Sequence, residues 1–489
     1  MSRLKPGSDP LVNQLRSALP TSCVVADPVS MKPYECDGLS GYRQMPRVVV
    51  LPQSVEQVQA VMKICQQTGT PIVPRGAGTS LSGGAMPHKN GVVLSLARLN
   101  NILHIDADNR TARVQAGVRN LQISEAVQHL GLYYAPDPSS QIACTIGGNV
   151  AENAGGVHCL KYGLTVHNIL HLKMVNLDGE LISIGSTAPD APGYDLLALL
   201  MGSEGMLGIV VEVLVRLLPR PKVAKVLMAA FDDVEKAGNA VACVIAAGVI
   251  PAGFEMMDHA AIQASEDFAR AGYPTDAVAI LLCELDGTEE DVNAQVEKAE
   301  KLMAASGAVN VRLASDDEQR VRFWSGRKNA FPAMGRISPD YYCMDGTIPR
   351  KEIGNVLTRI SRMSERYGLR VANVFHAGDG NLHPLILYDA NQPDEFQKAE
   401  EFGAEILDLC VAVGGTITGE HGVGVEKIDR MCVQFDHASV AQFLAVRKAF
   451  DPDGLLNPDK AIPTLARCAE FNAMHVHHGE LPHPELERF

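Results

Sequence analysis

Apolar and polar positions change period along this chain, and the changes mark its elements. Residues 46–51 form an apolar run of strand length. Ser54-Val-Glu-Gln57 then reads as a capping box. Val55, Val58, Val61, Met62 and Cys65 share one face of the helix it opens, and Gly69 closes it. Short strands follow at 71–73, 92–96 and 111–116, then a helical stripe of Ile123, Ala126, Val127 and Leu130 ended by Gly131. Residues 207–218 predict a long strand with Val211, Val213, Val215 and Leu217 on one side. Pro219-Arg-Pro221 reads as a domain boundary. Beyond it the elements lengthen: a strand at 226–231, a helix to about Ala247, a strand at 278–285 and a helix at 289–306. That region predicts an antiparallel sheet with helices on one face. A last helix at 439–450 leads into Leu456-Asn-Pro458.

Composition narrows the function. A chain of 489 residues holds two or three domains, and 46% hydrophobic with 20% charged residues describes a soluble globular enzyme. A net charge of −14 argues against nucleic acid, whose phosphates would be repelled. Eleven cysteines are scattered without a C-x-x-C pair, which points to reduced thiols in the cytoplasm and excludes the common ferredoxin spacing. The first seven residues lack the apolar core of a signal peptide. The most apolar run, 240–254, contains Pro251 and is too short to cross a bilayer, so no transmembrane segment is expected. The polar tail carries His475, His477, His478 and His483 and reads as a loose terminus.

The chemistry is concentrated in the second half, in His376-Ala-Gly-Asp-Gly-Asn-Leu-His383 and Gly419-Glu420-His421-Gly422. The first reads as a strand (371–375), a turn and a second strand (385–388), setting His376 and His383 opposite each other with Cβ atoms about 5 Å apart. Two imidazoles so placed suit one metal at roughly 2.0–2.1 Å, and Glu420 completes a His₂Glu set with a position left open. His421 then stands beside the metal as a base. The set suits zinc, and manganese or iron also fits.

Glycine is concentrated in the first half: 74–80 with Gly83-Gly84, 145–149, 153–156, and 202–205 with Gly208. None is a P-loop or a Rossmann fingerprint. Four such loops over 130 residues suggest an extended ligand lying across them, with backbone N–H groups offered as donors. These loops, with Pro136-Asp-Pro-Ser-Ser140, resemble the FAD-binding domain of the vanillyl-alcohol-oxidase and para-cresol-methylhydroxylase superfamily. The histidine and Glu-His motifs resemble its D-2-hydroxyacid dehydrogenase branch, nearest to the glycolate-oxidising members, over residues 40–465.

The resemblance implies an α+β protein. Its expected parts are an N-terminal segment (1–45), an FAD-binding domain of the vanillyl-alcohol-oxidase type (46–220), and an antiparallel-sheet substrate or cap domain carrying the metal site (221–435). A C-terminal segment (436–466) returns to the flavin domain and a polar tail (467–489) follows. It implies FAD held by Pro74, Arg75, Gly76, Ala77, Gly78, Thr79, Ser80, Pro136, Asp137, Ser140, Thr145, Gly147, Gly148 and Asn149. Asn153, Gly155, Gly156, Glu204, Gly205, Gly208, Ile209 and Asn457 complete that set. No histidine lies between Arg75 and Ala85 to tether the flavin, so non-covalent binding is expected. His376, His383 and Glu420 correspond to the branch's metal ligands, His421 to its base, and Arg327 to an arginine that clamps the substrate carboxylate.

Two departures bear on substrate. Cys343 and Leu385 stand where the 2-hydroxyglutarate dehydrogenases carry a lysine and an asparagine for a second carboxylate. Their loss favours a small monocarboxylic acid: glycolate, or D-lactate as the alternative. The resemblance also implies partner subunits, one of them iron–sulfur, with electrons passing to quinone or an artificial acceptor and attachment at the inner membrane face through those partners. A flavin relay without its own chemistry, or a metal-free FAD alcohol oxidase with structural histidines, are the competing readings.

Overall fold

A computed structural model describes residues 9–188 and 192–464; the N-terminal residues before Asp9 and the histidine-containing tail lie outside the described residues. The first half is built on two sheets. Ile72–Arg75, Val92–Ser95 and Val48–Val50 run parallel, with Val24–Val25 antiparallel at the edge. The helix Val55–Thr68 begins at Ser54, whose side chain accepts from Gln57 N–H, and stops at Gly69 in the left-handed region. The expected box closes differently: Gln57 Oε1 accepts from Gln53 N–H at 2.8 Å, one residue before the cap. The second sheet is antiparallel and ordered Ile102–Asp106, Thr111–Gln115, Ile209–Arg216, Ile169–Val175, Leu181–Gly185.

The chain changes sheet just after the prolines at 219 and 221. Leu218–Pro219 pairs with Leu132–Tyr133, and Val223–Phe231 enters a seven-stranded antiparallel sheet. That sheet runs Asn310–Leu313, Val223–Phe231, Ala279–Gly287, Gly253–Asp258, Val371–Phe375, Pro384–Tyr388, Asp340–Cys343. Helices cover both of its faces, not one. Leu227, Ala229 and Phe231 pack toward Val234–Ala246, Glu289–Ala305 and Ile353–Tyr367. Val226, Met228 and Ala230 pack toward His259–Ala269 and Asp317–Lys328. The strands already carry this information, because Val226-Leu-Met-Ala-Ala-Phe231 is apolar without alternation, the mark of a strand buried on both sides.

The C-terminal helix His437–Phe450 hands the chain back to the parallel sheet. Ile72 N–H donates to Leu455 O and Asn457 N–H to Ile72 O, so Leu456 pairs beside Ile72. No helix among the described residues is long and apolar enough to cross a membrane.

Candidate active site

The histidine hairpin is made by Val371–Phe375 and Pro384–Tyr388, which pair antiparallel. Between them Gly380 N–H donates to His376 O, and His376 N–H to Asn381 O. Gly380 has φ +85°, and a Cβ there would run into Ile348 O, so the turn requires glycine. The turn leaves the His376 and His383 rings 5.2 Å apart at 87°, both buried.

Each imidazole is oriented by a partner at Nδ1. Glu255 Oε1 lies 2.8 Å from His376 Nδ1, and Met344 O lies 3.3 Å from His383 Nδ1. A carbonyl oxygen only accepts, so His383 Nδ1 donates to it and Nε2 turns inward. Both Nε2 atoms converge on Glu420 Oε1, at 3.0 Å from His383 and 3.4 Å from His376. Burial alone would make His376 shed a proton, but the Glu255 and Glu420 carboxylates hold its affinity for positive charge well above the usual histidine range. The same field would attract a cation. His376 Nε2 and Glu420 Oε2 are buried with no hydrogen-bond partner. One donor atom from each of His376, His383 and Glu420 lies within 4.8 Å of the others. Three neutral-or-anionic N and O donors, two of them supported from behind by other groups, fit a divalent metal with an open position.

The Glu420 loop is held by one buried carboxylate. Asp345 accepts from the N–H groups of Gly419 (3.1 Å), Glu420 (3.2 Å) and His421 (2.9 Å), and from Thr418 Oγ1 (2.6 Å). His421 thereby stacks on His383, ring centroids 4.9 Å apart and nearly parallel at 11°. Burial pushes its imidazole down to about 4, so it is neutral and able to accept a proton at physiological pH. Gly155 lets Glu420 in: a Cβ there would stand 2.6 Å from Glu420 Oε2. Gly155→Val is expected to push Glu420 out of the set and weaken metal binding at least about tenfold, the scale of a disturbed metal shell. Metal content per flavin checks it; an unchanged ratio refutes it.

One cavity of about 560 Å³ opens onto this cluster, within the roughly 300–1,000 Å³ of ligand pockets. His383, Glu420 and His421 form one end of its wall. The residues from Pro74 to Ser80 line it, with Ser140, Thr145, Gly147, Gly148, Asn149, Glu204, Gly205, Gly208 and Ile209. Thr145 Oγ1 is buried there with no partner. A glycine-lined wall carrying an orphaned hydroxyl fits a phosphate-bearing cofactor that comes close to backbone.

Other expected contacts stand behind that wall. Asn120 Nδ2 donates to Pro136 O, and Asp137 accepts from His158 N–H and pairs with its ring. Asn153 accepts from Val166 N–H, and Gly156 backs onto Asp137 O. Asn457 donates to Gly84 O (2.9 Å) and Glu204 O (2.6 Å), tying two loops together. Arg327 is buried in an ion pair with Glu255 (2.7 Å) and does not line the cavity. Because Glu255 also holds His376, Arg327 is joined to the cluster through that carboxylate. The pair keeps Glu255 ionised: burial raises its affinity for a proton, and the charges of His376 and Arg327 bring it below the usual range. Among the lining residues that escaped the sequence reading are Glu152, Lys328 and Phe331.

Comparison with known proteins agrees with this architecture. Residues 46–185 match an FAD binding domain, and 220–461 the C-terminal domain of FAD linked oxidases. The glycolate oxidase subunit GlcD of Escherichia coli K12 is 63% identical over 97% of this chain and 95% of its own length. A D-lactate dehydrogenase of Archaeoglobus fulgidus is 34% identical over 86% of this chain and 92% of its own. The structure of p-cresol methylhydroxylase with substrate bound superposes with a TM-score of 0.79 at 20% identity, covering 93% of this chain and 97% of that one.

Proposed function

This chain belongs to the FAD-linked oxidases, and on that footing we propose that it oxidises a small 2-hydroxy acid, glycolate first, to the 2-oxo acid. It is an FAD-linked oxidoreductase of α+β fold, with the vanillyl-alcohol-oxidase type of flavin domain. The observation that carries the substrate class is the convergence of His376, His383 and Glu420, with unpartnered inward atoms, at the end of the flavin cavity. An electron relay has no use for such a set.

When bound, FAD supplies a hydride acceptor and the divalent metal a Lewis acid that makes an alcohol more acidic. The protein supplies the rest. His376, His383 and Glu420 hold the metal, with Glu255 and Met344 O fixing the two rings. His421, neutral and buried, accepts the hydroxyl proton. Residues 74–80 and 145–149, most of which line the cavity, would hold FAD without a covalent tether. Arg327 does not reach the cavity; it holds Glu255 and, through that carboxylate, the His376 ring. Cys343 and Leu385 lie in the apolar cluster beside the hairpin, so neither position offers a cation or amide to a second carboxylate. The implied partner is an iron–sulfur subunit, which would take the electrons onward to quinone. The chain so placed works in the cytoplasm, at the membrane through that partner.

Anaerobic mixing with each acid tests the reading. Glycolate is expected to bleach the flavin band, with EDTA treatment abolishing and added metal restoring the change, while D-2-hydroxyglutarate reacts poorly. Comparable kcat/KM for glycolate and D-2-hydroxyglutarate would sink the specificity, and bleaching indifferent to chelation would sink the metal. The resemblance to a D-lactate dehydrogenase favours D-lactate as the second reading, and its rate relative to glycolate decides between them.

A further inference from the structure

A buried carboxyl on the cavity wall has no part in the scheme above. Glu152 ends the helix Ile146–Glu152, between two of the glycine loops, and lines the flavin cavity. Its Oε2 is buried and has no hydrogen-bond partner. Backbone closes around it on two sides: a Cβ on Gly422 would collide with Oε2, and one on Gly84 would stand 2.8 Å from Oε1. The residue as a whole is only half-buried, and its remaining surface is on the cavity wall.

We propose that Glu152 is a flavin-contacting residue whose carboxyl, as the neutral acid, donates a hydrogen bond to bound FAD. The inference rests on the flavin reading of the cavity and adds a donor to it. Its neighbour decides the protonation state. Glu204, the closest acid, takes both available N–H donors, from Val423 (2.7 Å) and Gly424 (2.9 Å). Burial raises the proton affinity of both acids, and those bonds oppose it at Glu204 alone. Of the two, Glu152, with no donor of its own, is therefore the one that takes the proton. Burial, then Glu204 and Asp37, raise its affinity for a proton; Lys427 opposes them and Asp345 adds to them. A protonated carboxyl keeps one O–H to give, and an unmade buried bond is costly, so a ligand acceptor on the cavity side satisfies it.

Glutamine mimics the neutral acid in shape and retains a donor, and alanine does not. Apoprotein of wild type, Glu152→Gln and Glu152→Ala would be titrated with FAD by flavin fluorescence, with thermal unfolding of each apoprotein measured alongside. Wild type that takes up no FAD would fail the flavin reading itself, independent of Glu152. With uptake established, E152A is expected to bind FAD about tenfold more weakly, the scale of one lost hydrogen bond, and E152Q within about threefold of wild type. The E152Q visible spectrum should match wild type, while that of E152A shifts. E152A binding FAD like wild type overturns the proposal. So does E152Q as weak as E152A, because a neutral donor would then not be what the flavin uses.

Discussion

Replacing His383 by alanine is expected to give a folded, yellow protein that glycolate no longer bleaches. The substitution removes one of two imidazoles whose Nε2 atoms converge on Glu420, and replaces none of the glycine-loop residues that line the cavity. Two remaining donors do not hold a divalent ion as three do, so metal content should fall to background. Loss of the Lewis acid removes several kcal/mol of charge stabilisation, and at 1.36 kcal/mol per tenfold the rate of flavin reduction should drop about 10³-fold or more. His421→Ala should behave differently: metal and FAD stay, and reduction slows about 10²–10⁴-fold, the range for a lost general base. Anaerobic stopped-flow at 450 nm with metal analysis on the same samples separates the two roles. An H383A protein that retains stoichiometric metal would show that this histidine is not a ligand, whatever its rate.

The parts of this site that were legible in the sequence are those with local signatures. The histidine hairpin shows because both imidazoles and the turn glycine lie within eight residues. The cavity wall shows because glycine is costly elsewhere and clusters where backbone must approach a ligand. The supports were not legible, since they arrive from distant strands. Glu255 is a charge in the middle of Gly253-Phe-Glu-Met-Met-Asp258, flanked on both sides by apolar residues, and that anomaly is the signal that could have found it. Arg327 was visible as a cation, but its partner was not, because Glu255 lies 72 residues away. Glu152 sits between two recognised loops in Asn149-Val-Ala-Glu-Asn153 and carries no local signature of its own. The helices on the second sheet face were missed for a related reason: an amphipathic period tells which side of a helix is buried, not which sheet face it meets.

The largest stability effect is expected at Lys427, whose side chain is fully buried. Its Nζ lies 3.0 Å from Asp345 Oδ2 and 2.9 Å from Gly422 O. Burial works against its charge, and Asp345 and Glu426 more than restore it, so the lysine stays protonated. Lys427→Met leaves Asp345 buried and charged without its cation, in a region that also holds Glu426, Glu204 and Glu152. Breaking such a pair from one side costs about 3–5 kcal/mol. The thermal midpoint should therefore fall by roughly 6–20 °C, at 2–4 °C per kcal/mol for domains of this size. The effect should also reach the chemistry, because Asp345 gathers the N–H groups of Gly419, Glu420 and His421. Asp345→Asn/Lys427→Met removes both charges and should recover most of the stability. It should not recover metal binding, since an amide oxygen accepts fewer and weaker bonds than a carboxylate and its NH₂ faces the same loop donors. A double variant that regains the midpoint and stays metal-poor assigns the pair to positioning the Glu420 loop. One that regains both would mean that the loop keeps its shape without Asp345.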